Sequence, residues 1–322
     1  MTELDLALFQ SFGSLAERLA VFVNPVKRLY LPFLLGSLVL ACGVWFTRYR
    51  RRWSLWRYLF PRRIWLHPST LLDVRLMLFR TALEGVLIAP FAIPVTAGAM
   101  GIARLGWHHL GPVPDWFTLP RAAVTVLFSV AAFCAEDFGR YFIHMLAHRV
   151  PALWELHKVH HSAEVLTPLT VYRTHPIESV VMRAGAAGSL TLVAGLFIWL
   201  FPGRVGAWQI GGVYALSFIW NTLGSNLRHS HVWLSYPPWL ERFLLSPAQH
   251  QLHHSTDPHF HHGNYGSALA IWDRLAGSLR LSGRRRRHLS FGLPDDVQNH
   301  RRTVRSALWH PLVAAVGRLV PR

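Results

Sequence analysis

The chain has 322 residues, of which 52% are hydrophobic and only 15% charged, with 14 tryptophans and a formal net charge of +17. An ordinary soluble domain carries roughly 25% charged residues, so this composition points to a membrane class. The excess of arginine lies beside long apolar runs and no nucleic-acid motif accompanies it, which excludes nucleic acid as the partner and directs the charge to lipid head groups.

The chain opens with Glu3, Asp5 and Glu17 ahead of any strong apolar stretch, the wrong order for a secretory signal peptide, so membrane insertion falls to internal spans. Tyr30 to Phe46 is the first such span, and the arginines from Arg48 to Arg63 that follow mark its cytosolic flank. Thr81 to Ala103 reads as a second, kinked or re-entrant at Pro90 and Pro94. A Gly/Pro loop from Gly106 to Pro120 leads to a third span, Ala122 to Ile143. Cys42 and Cys134 sit inside apolar runs, without metal-ligand spacing or the makings of a disulfide framework.

The stretch from His144 to His175 then falls on the cytosolic side. Ala184 to Phe201 is a fourth span, Pro202 to Gly206 an outer turn, Ala207 to Trp220 a fifth, and everything after Asn221 is again cytosolic. The expected fold is all-α: a polytopic transmembrane helical bundle with a cytosolic, histidine-rich helical cap. It divides into an N-terminal membrane region (1–121), a catalytic domain (122–282) and a basic tail (283–322).

Twenty histidines are present, and their spacing matters more than their number. His144 and His148 are four apart on the continuation of the third helix. Past Pro151, His157, His160 and His161 stand at i, i+3 and i+4, which predicts one shared helix face, and His250, His253 and His254 repeat the pattern. His229 and His231 lie between them. A lone HxxxH is usually chance, but three such groups on one side of a membrane predict a metal site. Imidazole suits iron, zinc, copper or nickel, and the histidines are too many for one ion, so two ions are expected. Asp137 and Tyr141, on the stripe that leads to His144 and His148, are expected behind the ligands, with Asp137 accepting an imidazole N–H.

These residues resemble the fatty acid hydroxylase and sterol desaturase superfamily of membrane non-haem di-iron proteins. The resemblance runs from Asp137 to Leu279. It covers the Asp137, Tyr141, His144, His148 helix, LHKVHHS at His157–Ser162, RTHPIE around His175 and Glu178, and RHSH at Arg228–His231. SPAQHQLHHS at Ser246–Ser255 and NYGSALAIWDRLAGSL at Asn264–Leu279 complete it. Met145 and Ala276 depart from the family pattern without removing a ligand.

The resemblance implies two iron ions, replaceable by zinc in isolated material, held by His144, His148, His157, His160, His161, His229, His250, His253 and His254, with His231 and His175 as further candidates. His259, His261 and His262 read as solvated loop residues. His67, His108, His109, His288, His300 and His310 read as interfacial. The implied activity is O2-dependent hydroxylation or desaturation of a lipid. Its electrons come from an external ferredoxin or cytochrome b5 type donor, toward which the run Arg284–Arg287 offers a basic surface. The same imidazoles would also serve a membrane di-zinc hydrolase or, less well, a metal transporter or sensor.

Overall fold

The computed structural model describes residues 22–25, 27–87, 94–114, 119–205, 207–283, 286–294 and 302–319. Glu3, Asp5, Glu17, Pro90, Arg284, Arg285 and His300 lie outside them. Among the described residues the secondary structure is helical, with two isolated bridges and no strand.

Among the described residues, three helices are long and apolar enough to cross a bilayer. The first is α1 (Leu31–Val44), which runs on through a π turn at Trp45–Tyr49. Two short helices, α2 (Leu55–Leu59) and α3 (Arg62–Trp65), carry the basic flank, followed by α4 (Pro68–Leu87) and α5 (Val95–Leu110). The expected second span is therefore not one helix. Proline lacks an N–H and is disfavoured inside a helix, and Pro94 stands at the N-cap of α5. Nor does a loop begin at Gly106: α5 continues to Leu110 and stops at Gly111, whose φ of 77° is left-handed. Gly106 serves packing instead, since a Cβ there would lie 2.7 Å from the Trp199 ring.

The second and third membrane-length helices are α6 (Arg121–Arg149) and α8 (Pro176–Leu200). At 1.5 Å per residue α6 is about 44 Å long, roughly 14 Å more than the hydrocarbon core, which is long enough for its histidine-bearing turns to extend past a bilayer. Small residues seat these helices against each other, as they do where lipid supplies no hydrophobic drive between helices. A Cβ on Gly139 of α6 would lie 2.3 Å from the Gly185 carbonyl oxygen of α8, and one on Gly195 of α8 would lie 2.6 Å from Ile102 of α5. The expected fifth span is α9 (Ala207–Thr222), at about 24 Å too short to cross alone.

Between α6 and α8 lies α7 (Pro151–His161), and beyond α9 come α10 (Pro247–His253), α11 (Ile271–Leu275) and α12 (Val304–Leu319). The last is a helix unforeseen in the tail. It packs along α7, with Ala307 in a cluster with Val159, Leu72 and Leu76, and Arg318 lies 3.5 Å from Glu155.

Candidate metal centre

Four local devices deliver the histidines. The C-terminal end of α6 carries His144 and His148. Val150 is extended, and Pro151 opens α7, where a missing N–H costs nothing, so the chain reverses within one residue and brings His157, His160 and His161 back beneath α6. Gly224, at φ 90°, turns the chain out of α9 into a 3-10 segment, Ser225–Arg228, that ends at His229. Ser246 caps α10 reciprocally with Gln249: its hydroxyl accepts the Gln249 N–H at 3.2 Å and its own N–H donates to Gln249 Oε1 at 2.9 Å.

Nine histidines, all buried, converge into two adjoining groups: His144, His148, His157, His161 and His253 in one, His160, His229, His250 and His254 in the other. Within each group the ligand atoms lie within 4.8 Å of one another. Neither HxxHH motif presents a single face, contrary to the sequence expectation. Residues i and i+4 are about 40° apart around a helix, whereas i+3 and i+4 are about 100° apart. The i, i+4 pair of α7, His157 and His161, enters the first group while His160 enters the second. The α10 motif does the reverse: His250 and His254 enter the second group and His253 the first. Each helix thus lends one imidazole to the other's group.

The hydrogen bonds identify the protonated nitrogens. His144 Nδ1 donates to the Tyr265 carbonyl at 2.7 Å, His160 Nδ1 to the Arg173 carbonyl at 3.2 Å, His253 Nδ1 to the Gly263 carbonyl at 2.9 Å, and His157 Nδ1 to Glu178 Oε1 at 2.7 Å. A neutral imidazole has one N–H, so Nε2 is bare in all four. His144 Nε2 nonetheless faces His157 Nε2 at 3.2 Å, lone pair against lone pair. In the second group His229 Nε2 lies 3.0 to 3.2 Å from the Nε2 atoms of His250, His254 and His160. Nε2 of His148 and His253, both buried, have no hydrogen-bond partner. Burial holds His157 and His160 at a pKa of about 3, and His161, His229, His250, His253 and His254 well below the ordinary imidazole value. Converging neutral nitrogen donors, four of them with a bare Nε2, suit a metal ion in each group.

Other expected residues are placed elsewhere. His231 stands outside both groups, because its Nε2 donates to the Tyr58 carbonyl at 2.6 Å and its ring packs edge-on against Tyr58. His175 uses both nitrogens structurally, Nδ1 accepting from Ile177 N–H and Nε2 donating to the Leu308 carbonyl. His259, His261 and His262 are exposed, the last two along a 560 Å³ cavity that the first group also borders. Asp137 does not orient an imidazole. It accepts from Ala268 N–H (2.7 Å), Leu269 N–H (3.1 Å) and Trp272 Nε1 (3.0 Å), tying α6 to the NYG segment. Tyr141 reaches the site only through Tyr265, whose ring packs against His144, His148 and His253.

The orienting carboxylate is Glu178, in the first turn of α8 and 21 residues from its imidazole, a separation with no local signal. Trp154 covers His148, His157 and His161. Asp273 accepts from Tyr265 N–H and Gly266 N–H at 3.0 and 2.7 Å and so shapes the loop whose carbonyl holds His144. Behind His160, the buried Arg173 guanidinium meets Asp73 of α4 at 2.5 Å and donates to Ser162 and Ser69. An ion pair that reaches from the histidine-bearing stretch to α4 therefore fixes the carbonyl that orients His160.

Residues 129–278 match the family model for fatty acid hydroxylase. The chain is similar to alkylglycerol monooxygenase of Xenopus tropicalis, 30% identical over 146 residues, 45% of this chain and 29% of that protein. It is similar to the ornithine lipid hydroxylase OlsE of Rhizobium tropici, 30% identical over 191 residues, 58% of this chain and 50% of that protein. It is also similar to Delta(7)-sterol 5(6)-desaturase ERG3B of Gibberella zeae, 27% identical over 232 residues, 69% of this chain and 61% of that protein. The chain thus spans between about a third and three fifths of the length of these relatives. No solved structure matches it significantly. The matched segment, residues 129–278, carries every histidine of the two groups, and it is this segment that is similar to the fatty acid hydroxylase and sterol desaturase superfamily.

Proposed function

We propose that the chain is a membrane-bound non-haem di-iron oxygenase that hydroxylates or desaturates a lipid. The observation that carries this reading is the pair of adjoining groups of five and four buried, neutral imidazoles. Five nitrogen donors exceed what a tetrahedral zinc site uses but leave one position open on a six-coordinate ion, which favours iron over the di-zinc alternative. His144, His148, His157, His161 and His253 would hold one ion, and His160, His229, His250 and His254 the other. When bound, the pair supplies O2 activation. Hydroxylation then consumes one O2, two electrons and two protons, placing one oxygen atom on carbon and releasing the other as water; desaturation consumes the same O2, two electrons and two protons, takes two hydrogens from the substrate and releases both oxygen atoms as water.

The chain's own residues orient and enclose. Glu178 and the carbonyls of Tyr265, Arg173 and Gly263 fix the imidazole rings, and the rings of Trp154 and Tyr265 pack against them. Residues 122–282 form the catalytic unit in this reading, with 1–121 as membrane region and 283–322 as tail. The basic flank lies at the histidine end of the bundle: His231 bonds to Tyr58, and Arg52, Arg63, Arg286 and Arg287 line one 600 Å³ hollow there. By the positive-inside bias this end faces the cytosol, where an acidic ferredoxin or cytochrome b5 type donor would meet the arginines.

Purified protein should contain two irons per chain, and lipid extracts of cells expressing it should hold a product one oxygen heavier, or two hydrogens lighter, formed only with O2. Stoichiometric zinc with turnover unaffected by anaerobiosis would instead establish the hydrolase.

A further inference from the structure

A cavity of about 420 Å³ is lined by the imidazoles His144, His157, His160, His229 and His250. Its lining is unusual in charge. Lys27, Arg28, Arg80, Arg140, Arg183 and Arg228 border it, and the one carboxylate in the lining, Glu178, is engaged by His157. Arg183 is exposed and Arg228 buried, so the cations run from the protein surface to the wall beside the metal centre.

Two of these guanidiniums converge with no carboxylate among their hydrogen-bond partners, Asp137 and Glu136 acting on them only through space. Arg28 donates to Asn221 Oδ1 and, at 3.1 Å, to the Ser225 hydroxyl; Arg228 donates to the Ser225 carbonyl at 3.0 Å and to the Ser267 carbonyl. All four acceptors are neutral. Burial, and then repulsion from Arg228 and Arg140, pushes Arg28 down to about 9. Like charges gathered in a low-dielectric site are costly unless an anion offsets them, and paired guanidinium forks match the planar oxygens of phosphate and carboxylate.

Volume sets a further limit. Small-molecule sites run from about 300 to 1,000 Å³, so this one holds a head group and the carbons next to it, while the remaining hydrocarbon stays in the bilayer.

We propose that this cavity is the head-group pocket of the substrate, which is a lipid bearing a phosphate or carboxylate and oxidised at a carbon within a few bonds of that anion. The inference rests on the oxygenase reading above and uses the same balance of O2, electrons and protons. Arg28 and Arg228 grip the oxyanion, and the short distance from that grip to the imidazole wall selects the C–H bond.

The test uses full-length, iron-loaded protein in nanodiscs with a chemically reduced one-electron donor, and three chain-matched substrates: an alkyl phosphate lipid, a fatty carboxylate and a neutral alkylglycerol. At least one anionic lipid should show a kcat/KM ten-fold or more above the neutral lipid, with the new oxygen or double bond mapped by fragmentation next to the head group. Arg28→Gln should collapse that ratio through KM, and Arg228→Lys, which keeps the charge, should retain more of it than Arg228→Gln. Inorganic phosphate should compete only weakly; tight competition would make this a site for soluble anions and overturn the lipid assignment. Equal turnover of neutral and anionic lipids, or oxidation in mid-chain, overturns it as well. Wild-type protein alone decides these outcomes if the variants fail to fold. Absence of iron or of O2-dependent turnover on every lipid defeats the oxygenase reading itself, a result distinguishable from loss of head-group preference.

Discussion

Glu178 Oε1 accepts the Nδ1 proton of His157 at 2.7 Å, and this one contact turns the bare Nε2 of His157 toward Nε2 of His144, 3.2 Å away. The carboxylate fixes tautomer and ring plane together and makes the imidazole a stronger donor. Glu178→Gln keeps an acceptor but loses the charge, whereas Glu178→Ala loses both. Metal affinity should fall in that order, with Glu178→Ala weakened about 10- to 100-fold, as read by iron content after dialysis against a graded chelator.

The partition of histidines separates ligands from bystanders two residues away. His253→Ala should remove one donor from the five-membered group, lowering iron retention and abolishing O2-dependent turnover. His231→Ala loses only its bond to the Tyr58 carbonyl, at a cost of about 1 kcal/mol, and should keep both irons. Loss of iron from the His231 variant equal to that from the His253 variant would refute the two groups as drawn.

Asp137 holds three donors of the 268–272 segment and touches no imidazole. Asp137→Ala should therefore act on stability, leaving those buried donors unsatisfied at a cost of about 3 kcal/mol, while the folded fraction still binds iron. Thermal unfolding in detergent, set beside iron per folded chain, checks this. A fully stable variant lacking iron would show that Asp137 acts on the metal centre after all.

Gly139 and Gly185 let α6 and α8 approach closely enough for Glu178 at the start of α8 to reach His157. Gly139→Val should wedge the helices apart, because even its Cβ would stand 2.3 Å from a backbone oxygen that cannot move aside as a side chain does. Loss of folded protein in the membrane fraction is the expected readout, against near-normal yield for Gly43→Val, where a Cβ meets nothing within 4 Å.

Much of this was legible before any coordinates, for reasons of period and solvent. A run of apolar residues long enough to cross a bilayer is a one-dimensional property, so α1, α6 and α8 are visible in the sequence, as are the HxxxH and HxxHH spacings that only a helix makes meaningful. What the sequence could not settle was destination. His160 and His161 are neighbours in the chain yet serve different groups, because adjacent helical positions point about 100° apart and only the elements packed around α7 decide what each one meets. One residue separates His229 from His231, but the Tyr58 carbonyl claims the latter. The partners of Asp137 lie more than 130 residues away, those of His157 and Arg173 lie 21 and 100 residues away, and no local pattern encodes such distances. The sequence by itself thus determined that imidazoles would be presented by helices at the edge of a membrane. The tertiary structure alone decided which of them fall into one group, since that depends on where lone pairs converge in space and on which second nitrogen is already held.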